Sequence, residues 1–357
     1  MIERSDDPVT PGWQFASDNT SGICPEALSG LVEANVGAAA SYGNDDYTAA
    51  AAERLREIFE ADCEVFFVFN GTAANSLAVA SCCLPHHSVI CAAVAHIETD
   101  ECGGPEFFSG GAKILLAECR QGKLDPRSVE SIATRRTDIH FPKPRLLSVT
   151  QPTELGGVYA FNELESLRDL ARRLDLRIHV DGARFANAVV ALQSSPAEVV
   201  RCSGADILCL GGAKIGLPVG EAVLFFDREL AAEFTYRCKQ AGQLASKMRF
   251  LAAMWLGVLK DDAWLKHAMH ANAMATQLAQ GLARIPRVEV LAPVDANAVF
   301  VNMPLAVHQV LADKGWRYYS FIGEGAARFM CSWATSEAEI RSLLADIASV
   351  SCDCEIV

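Results

Sequence analysis

Residues 65–84 read VFFVFNGTAANSLAVASCCL, an apolar β-type run that passes through Asn-Gly-Thr directly into an apolar helical run. Further runs of the same strongly hydrophobic kind alternate with helical patterns along the chain. The candidate strands are residues 65–69, 88–94, 112–116, 145–150, 177–181, 206–210 and 222–226. Strands that are apolar on both faces are typical of a sheet covered by helices on both sides. The pattern therefore predicts an α/β fold with a mostly parallel, seven-stranded sheet.

Apolar stripes at helical spacing predict helices at residues 162–174 and 336–349. Each begins with a capping residue, Asn162 or Ser336, and has a glutamate three residues later.

The character of the sequence changes after residue 226. It becomes Ala-rich and helical to about residue 282, and short candidate strands follow at 288–291, 298–303 and 327–332. We therefore predict an N-terminal arm of residues 1–30, a large domain of residues 31–260 and a small C-terminal α+β domain of residues 261–357. The arm is expected to pack on the large domain or on another subunit.

The composition excludes several classes of function. The formal net charge is −13 and no basic block is longer than Arg135-Arg136, which argues against a nucleic-acid partner. No run reaches the ~18 apolar residues of a membrane span, and the N-terminal residues lack the pattern of a signal peptide. The 13 cysteines show no zinc-type C-x-x-C pairs. We expect a cytoplasmic protein with buried reduced thiols and no metal.

A lysine among glycines follows the sixth candidate strand, in residues 210–220, LGGAKIGLPVG. Such a lysine is either a structural residue bonded to carbonyl oxygens or an amine whose lowered pKa makes it a nucleophile toward an aldehyde. Gly211, Gly212 and Gly216 favour the second interpretation, because they are expected to leave room for a flat ring beside Lys214. Asp181 ends the fifth strand, 33 residues earlier, where open α/β sheets bind ligands. A carboxylate there is suited to hold a protonated pyridine nitrogen.

The turn Asn70-Gly71-Thr72-Ala73 begins a helix directly after the first strand. Backbone amides at such a helix end attract a phosphate, and the Thr72 hydroxyl adds a donor, although the same pattern also occurs as a simple cap. Neither G-x-G-x-x-G nor G-x-x-x-x-G-K-[ST] is present, which disfavours a dinucleotide or a P-loop nucleotide. A phosphate site, a carboxylate and a nucleophilic lysine together predict pyridoxal 5'-phosphate as the cofactor.

Several motifs occur in one order between Phe15 and Trp333: SDNTSG, SYGNDD, FNGTAANSLA, AHIETDECGGPEF, DIHFPKPRLL, HVDGARFANA and the glycine-flanked lysine. In these motifs the sequence resembles the low-specificity L-threonine aldolases, of the β-eliminating lyase/threonine aldolase group of pyridoxal-phosphate fold type I (aspartate aminotransferase-like). The resemblance implies that fold, and the reversible cleavage of β-hydroxy-α-amino acids such as threonine or allo-threonine to glycine and an aldehyde. It also implies a homodimer or homotetramer with shared active sites.

The resemblance further implies a role for each matching residue. Lys214 would form the internal aldimine with the cofactor, Asp181 would pair with the ring nitrogen, and His96 would stack on the ring. The resemblance implies that the cofactor phosphate is bound by Gly71, Thr72, Ala73, Arg237 and Lys239. It implies that the substrate carboxylate is bound by Ser17, Arg184 and Arg328, with Arg184 also near the cofactor. Tyr42 would line the site of a neighbouring subunit.

His96 and His140 are the two candidates for the base that takes the hydroxyl proton. Residue type alone does not separate them from His179, which lies beside Asp181.

Tyr42, with Phe107 and Phe108, is expected to wall an apolar side pocket that admits phenylserine-type substrates.

The sequence departs from the family pattern beside the lysine, where Ala213 and Ile215 replace the expected hydroxyl and amide residues. It also has Gln151-Pro152-Thr153 in place of the usual Glu-Asn-Thr. These departures bear on substrate preference.

Two alternatives stay open: another fold type I enzyme, such as a serine hydroxymethyltransferase-like enzyme or a β-eliminating lyase, and a non-catalytic protein that keeps the fold.

Overall fold

The computed structural model describes residues 14–320 and 325–351. Residues 1–13, which form the beginning of the predicted arm and carried the expectation about a signal peptide, lie outside the described part. The strands are β1 Glu64–Val68, β2 His87–Ala92, β3 Lys113–Ala117, β4 Cys119–Arg120, β5 Lys123–Leu124, β6 Lys143–Thr150, β7 Arg177–Gly182, β8 Ile207–Leu210, β9 Glu221–Phe225, β10 Glu289–Val290, β11 Ala298–Asn302, β12 Tyr319–Ser320 and β13 Ala326–Met330.

The helices connect and cover these strands. They are α1 Pro25–Glu33, α2 Asp46–Phe59, α3 Gly71–Cys82, α4 His96–Thr99, α5 Gly104–Ser109, α6 Pro126–Ala133, α7 Phe161–Arg173, α8 Phe185–Ala191, α9 Pro196–Ser203, α10 Phe234–Gln240, α11 Met248–Leu259, α12 Ala263–Leu282, α13 Leu305–Asp313 and α14 Glu337–Ser351. In the described part of the chain, none of them is both long and apolar enough to cross a membrane.

A seven-stranded sheet lies at the centre of the larger core, in the order β1-β9-β8-β7-β6-β2-β3. Strand β9 pairs antiparallel with both neighbours, and the other pairings in this sheet are parallel. All seven strands predicted from the sequence are confirmed, each within two residues at either end. Consequently β1, β6, β7 and β8 end at the same edge of the sheet.

A second, antiparallel sheet has the order β10-β11-β13-β12 and packs with α12 and α14 around its own core. The three strands predicted in this region are confirmed as β10, β11 and β13. The smaller α+β unit of the predicted fold is therefore present. The residue boundaries of the three predicted parts stay predictions.

The segment before α1 joins the two cores. Phe15 is buried in the smaller core, where its N–H donates to the Arg317 carbonyl and its carbonyl accepts from the Met330 N–H, both at 2.8 Å. Helix α1 packs instead on α11 in the larger core. The described part of the predicted arm is thus built into the chain's own fold.

The two predicted helix starts have different outcomes. At α14 the capping pair is confirmed, since the Ser336 N–H donates to Glu339 Oε2 at 2.7 Å and Ser336 Oγ accepts from the Glu339 N–H at 3.2 Å. At α7 the capping residue was wrong, because Glu163 accepts from the Ala160 N–H at 2.7 Å. The helix therefore begins one residue earlier, and Asn162 lies inside it.

Candidate active site

A cavity of about 260 Å³ lies at the carboxyl ends of β1, β6, β7 and β8. Crevices at this edge of an open α/β sheet are the usual ligand sites. The structure brings six of the predicted site residues together along its wall: Gly71, Thr72, His96, Asp181, Arg184 and Lys214.

Lys214 lies in the turn Ala213–Ile215 that follows β8. Burial lowers the pKa of its ammonium group, and the charge of Arg184 acts in the same direction. The carboxylates of Asp18, Asp181 and Glu221 oppose this change. A lysine with a lowered pKa holds a larger share of neutral amine, which is the nucleophilic form.

The glycines around Lys214 are required by close neighbours in the chain. A Cβ at Gly211 would collide with the Ala183 carbonyl oxygen, and a Cβ at Gly212 would collide with the Gly220 carbonyl oxygen. A Cβ at Gly216 would lie 2.6 Å from the Cβ of Cys24, and this glycine has a φ of +118°. These glycines allow the turn to pack closely against neighbouring segments of the same chain. Gly211 also lines the cavity, and that these glycines leave room for a ring stays a prediction.

Asp181 is connected to His96 by a buried chain of hydrogen bonds. Asn75 Nδ2 donates to Asp181 Oδ2 at 2.8 Å and to Glu101 Oε1 at 2.7 Å. Glu101 Oε1 also lies 2.8 Å from His96 Nδ1. The bond from Glu101 raises the pKa of His96, and burial raises the pKa of Glu101. The chain holds the imidazole beside the cavity, with Nδ1 facing a carboxylate.

The amino end of α3 has two amides available at the cavity. Asn70 caps the helix, and its Oδ1 accepts the Ala73 N–H at 2.9 Å. Gly71 and Thr72 line the cavity, and a Cβ at Gly71 would meet nothing within 4 Å. The first N–H groups of a helix lack acceptors within the helix and suit an anion. Ala73 does not belong to this set, because its amide already has a partner.

Arg184 forms a bidentate ion pair with Asp18. Its Nε lies 2.6 Å from Asp18 Oδ2 and its Nη2 lies 2.8 Å from Oδ1. Asn297 Nδ2 also donates to Oδ2, at 3.1 Å. Burial tends to raise the pKa of Asp18, but Arg184, Lys214 and Asn297 together outweigh it and the pKa is lowered. The planar fork of Arg184, expected to hold the substrate carboxylate, is therefore already occupied within the chain.

Arg328 and Ser17 lie near this pair without lining the cavity. Arg328 Nη2 donates to the Ala16 carbonyl at 3.1 Å, and its guanidinium lies 5.0 Å from the centre of the Tyr319 ring. Burial and the charge of Arg184 lower the pKa of Arg328. Ser17 caps the turn Asp18–Thr20. Both remain candidates for a substrate that extends beyond the cavity.

His140 is not brought to the cavity within one chain. It lies exposed in the loop before β6, and its N–H donates to Asp138 Oδ1 at 3.1 Å. The cavity lies at the other end of β6, beyond Thr150. His179 is also apart, because it is buried between Ser148 Oγ at 2.9 Å and Cys209 Sγ at 3.3 Å, and burial lowers its pKa to about 4. His179 is a structural residue.

Other predicted residues also lie outside the cavity wall. Lys239 Nζ lies 4.5 Å from the centre of the Tyr42 ring, and neither residue lines the cavity, nor does Arg237 of the same helix α10. Phe107 and Phe108 pack edge to face on each other in α5, with Phe107 78% exposed. Within one chain, the predicted apolar side pocket is therefore not formed.

Five site residues were missed by sequence reasoning: Asp18, Asn75, Glu101, Glu154 and Glu221. Asn75 and Glu221 are polar residues in apolar stretches of sequence, which was the available signal, whereas Glu101 follows the polar run Glu98-Thr99-Asp100 and has no such signal. Glu221 begins β9, where its carboxylate accepts from the Gly212 N–H. Burial raises the pKa of Glu221 to about 7. This carboxyl group lies directly behind the Lys214 turn.

Three groups that can bind metals meet below the same turn. The ligand atoms of Cys24, Glu26 and His267 lie within 4.8 Å of one another, and Glu26 Oε2 is 3.2 Å from His267 Nε2. Burial raises the pKa of the Cys24 thiol to about 11, which disfavours the thiolate that a metal requires. The expectation that the protein uses no metal stays a prediction.

The residues of the cavity fit pyridoxal phosphate. Asp181 is 4% exposed, and its oxygens accept from the uncharged Asn75 amide and Ala183 N–H, so a cationic ring nitrogen would complete its environment. Lys214 supplies the amine, and Gly71 and Thr72 supply the amides for a phosphate. The three groups required by one cofactor thus share one cavity.

Comparisons with known proteins agree with this geometry. The sequence profile of the beta-eliminating lyase family matches residues 14–306. The low specificity L-threonine aldolases of a Pseudomonas species and of Pseudomonas aeruginosa are each 57% identical over 337 residues, which covers 94% of this chain and 97% of each relative. A threonine aldolase structure from Leishmania major has a TM-score of 0.89 at 28% identity, and the match covers 94% of this chain and 99% of that one. The chain therefore belongs to the beta-eliminating lyase family and, within it, to the low-specificity L-threonine aldolases.

Proposed function

We propose that this lyase cleaves β-hydroxy-α-amino acids, threonine and allo-threonine first among them, to glycine and an aldehyde with the help of pyridoxal phosphate. The observation that carries the proposal is the single cavity that holds Lys214, Asp181 and the amino end of α3. The similarity to low specificity L-threonine aldolases over 94% of the chain supports the same activity.

The chain's residues are suited to hold the cofactor. Bound there, pyridoxal phosphate supplies an electron sink for the bond broken at the substrate's α-carbon. Lys214 would bind it covalently through Nζ, for which the lowered pKa of this lysine is favourable. Asp181 would hold the ring nitrogen in its protonated form, and the amides of Gly71 and Thr72 would bind the phosphate. His96, held by Glu101, would lie against the ring.

The substrate carboxylate binds beside the ion pair of Arg184 and Asp18. Arg328 is the main partner, because the planar fork of Arg184 is occupied by Asp18. Arg184 orients this region and adds positive charge to it, and Ser17 supplies a hydroxyl. His96 lines the cavity and is the candidate histidine that can reach the hydroxyl group of the substrate within one chain.

The enzyme acts as a homodimer or homotetramer with shared sites. Tyr42 and His140 are both exposed in one chain, so only a second copy of the chain could bring them to a cavity. Lys239, with Arg237 nearby, would contact the phosphate only through the same assembly. The cytoplasmic location remains our prediction.

Purified protein assayed with threonine and pyridoxal phosphate tests this proposal. We expect equimolar glycine and acetaldehyde without added folate, and no cleavage by Lys214→Ala. Lys266→Ala, a lysine outside the cavity, is the matched control and should behave like the wild type. Ammonia and a 2-oxo acid as products would instead indicate a β-eliminating lyase, and a requirement for folate would indicate a hydroxymethyltransferase.

A further inference from the structure

Glu154 is a carboxyl group of the cavity wall that the proposed roles leave unused. It follows β6, four residues after Thr150. Its Oε1 accepts the His96 backbone N–H at 2.8 Å and the Thr150 hydroxyl at 3.0 Å. Both partners also line the cavity. One carboxyl oxygen is thus fixed by two donors beside the predicted ring-stacking histidine.

The second oxygen of Glu154 has no partner. Oε2 is buried from solvent and forms no hydrogen bond with any residue in 14–320 or 325–351. A buried carboxylate oxygen without a donor is costly, unless it carries a proton or receives one from a ligand. Because Glu154 lines the cavity, the hydroxyl group of a bound substrate could supply that proton.

The surroundings of Glu154 make both protonation states accessible near neutral pH. Burial, followed by the negative charge of Asp181, raises its pKa to about 7. A general acid–base group works best when its pKa lies near the working pH. The titratable and charged groups that face Glu154 from the neighbouring elements are Cys91 of β2, His96 of α4, Tyr159 before α7, Asp181 of β7 and Arg184 before α8.

We propose that Glu154 is a catalytic residue that binds the substrate's β-hydroxyl group through Oε2 and takes its proton. This inference rests on the proposed function. The hydroxyl O–H bond breaks and its proton moves to Oε2, the Cα–Cβ bond breaks, and the aldehyde C=O bond forms. The electron pair of the broken bond stays with the α-carbon side, and that carbon then receives one proton to become glycine. In this scheme His96 positions the reacting groups, and its backbone fixes Glu154.

The first test compares Glu154→Gln with the wild type on two substrates. Threonine cleavage requires removal of a hydroxyl proton, whereas exchange of the glycine α-hydrogen with deuterated water does not. We expect kcat for threonine to fall at least ~100-fold, the typical contribution of a general base. Glycine exchange and the affinity for pyridoxal phosphate should stay at the wild-type level. Glu154→Asp, which keeps a carboxylate, should recover part of the cleavage activity.

Glu106→Gln is the matched control. Glu106 also has a buried Oε2 without a hydrogen-bond partner in the described residues, but it lies outside the cavity wall. Its replacement removes the same carboxylate chemistry at a place where no hydroxyl is expected. Threonine cleavage by this variant should match that of the wild type.

A second readout does not depend on catalysis. In the cofactor-free protein labelled with ¹³C at the glutamate carboxyls, we expect a resonance that titrates near pH 7 and disappears in Glu154→Gln. Glu221 also has a pKa raised to about 7, so Glu221→Gln assigns the other resonance. In the wild type, kcat/KM should fall as pH drops below this value, because the free enzyme then holds Glu154 protonated. Glu154→Gln should lack this acidic decline.

The possible outcomes separate this inference from the proposed function. If the wild type cleaves threonine and Glu154→Gln does so equally well, with the same pH profile, Glu154 has no catalytic role. Equal losses of cleavage, glycine exchange and cofactor affinity would show a structural role and would also overturn the inference. If the wild type itself does not cleave threonine, the proposed function fails, whatever the titration of Glu154 shows.

Discussion

At the scale of single residues, the Glu101 carboxylate controls the charge of His96. The bond between Glu101 Oε1 and His96 Nδ1 is 2.8 Å long, and the Glu101 side chain is fully buried. Glu101→Gln replaces a charged acceptor with a neutral one. Because the bond to Glu101 is what raises the pKa of His96, the variant should lower that pKa. An NMR titration of the His96 imidazole measures the change.

Glu98→Gln is the control for this titration, since Glu98 is exposed on the same helix α4. It should leave the His96 titration unchanged. An unchanged pKa of His96 in Glu101→Gln would show that the contact is not formed by a carboxylate.

The ion pair of Asp18 and Arg184 gives a second prediction at this scale. The side chains of Asp18 and Arg184 are 1% and 17% exposed. Asp18→Ala leaves a mostly buried guanidinium without its carboxylate, which typically costs about 3–5 kcal/mol. We expect a loss of that order in the free energy of unfolding of the cofactor-free protein, measured by urea denaturation. Glu337→Ala, which breaks the exposed pair with Arg341, should change the free energy by less than about 1 kcal/mol.

At the scale of elements, the close packing of α1 on α11 depends on two glycines. A Cβ at Gly257 would collide with the Glu26 carbonyl, and a Cβ at Gly30 would collide with the Ala253 carbonyl. The residue before α1, Cys24, donates its N–H to the Gly216 carbonyl at 2.8 Å. The helix pair therefore also supports the turn that carries Lys214.

Gly257→Ala should force these helices apart. Overpacking of this kind costs about 1–3 kcal/mol, more than the ~1 kcal/mol that alanine gains over glycine in a helix. We expect a lower urea midpoint and weaker binding of pyridoxal phosphate. Gly22→Ala, where a Cβ meets nothing within 4 Å, is the control. A stabilised Gly257→Ala variant would contradict the close approach of α1 and α11.

The elements show which features a sequence reveals. The seven strands of the larger sheet were predictable because they are apolar on both faces, which few other elements are. Strands β4, β5 and β12 were missed, since each has two residues and no periodicity can be read from so few; the equally short β10 was found because it lies in the mostly apolar run of residues 288–291. Lys214, Asp181, Gly71 and Thr72 were predictable because each lies at the carboxyl end of a strand or within four residues of it.

The missed site residues depend on contacts between distant parts of the chain. Asn75 reaches Asp181 across 106 positions, and Arg184 reaches Asp18 across 166. No local pattern predicts such partners. The ion pair with Asp18 changes the role expected for Arg184. The close approach of neighbouring parts of the chain explains why glycine is required beside Lys214.

At the scale of the whole molecule, the proposed homodimer or homotetramer has active sites that are shared between subunits. Lys214→Ala removes the lysine proposed to bind the cofactor, whereas Tyr42→Ala removes an exposed ring that lies outside the cavity of its own chain. We expect each variant alone to have little activity. When the two are unfolded together and refolded, hybrids should contain one intact site and regain activity. No recovery, in a mixture shown by mass to contain hybrids, would contradict shared sites.

The central claim is that Lys214 binds pyridoxal phosphate covalently. The most direct measurement is borohydride reduction of the cofactor-loaded protein, followed by digestion and mass spectrometry of the peptides. The account predicts a reduced pyridoxyl phosphate group on the peptide that contains Lys214, and no such group on any peptide of Lys214→Ala. A label on a different lysine, or none on a protein that still cleaves threonine, would contradict it.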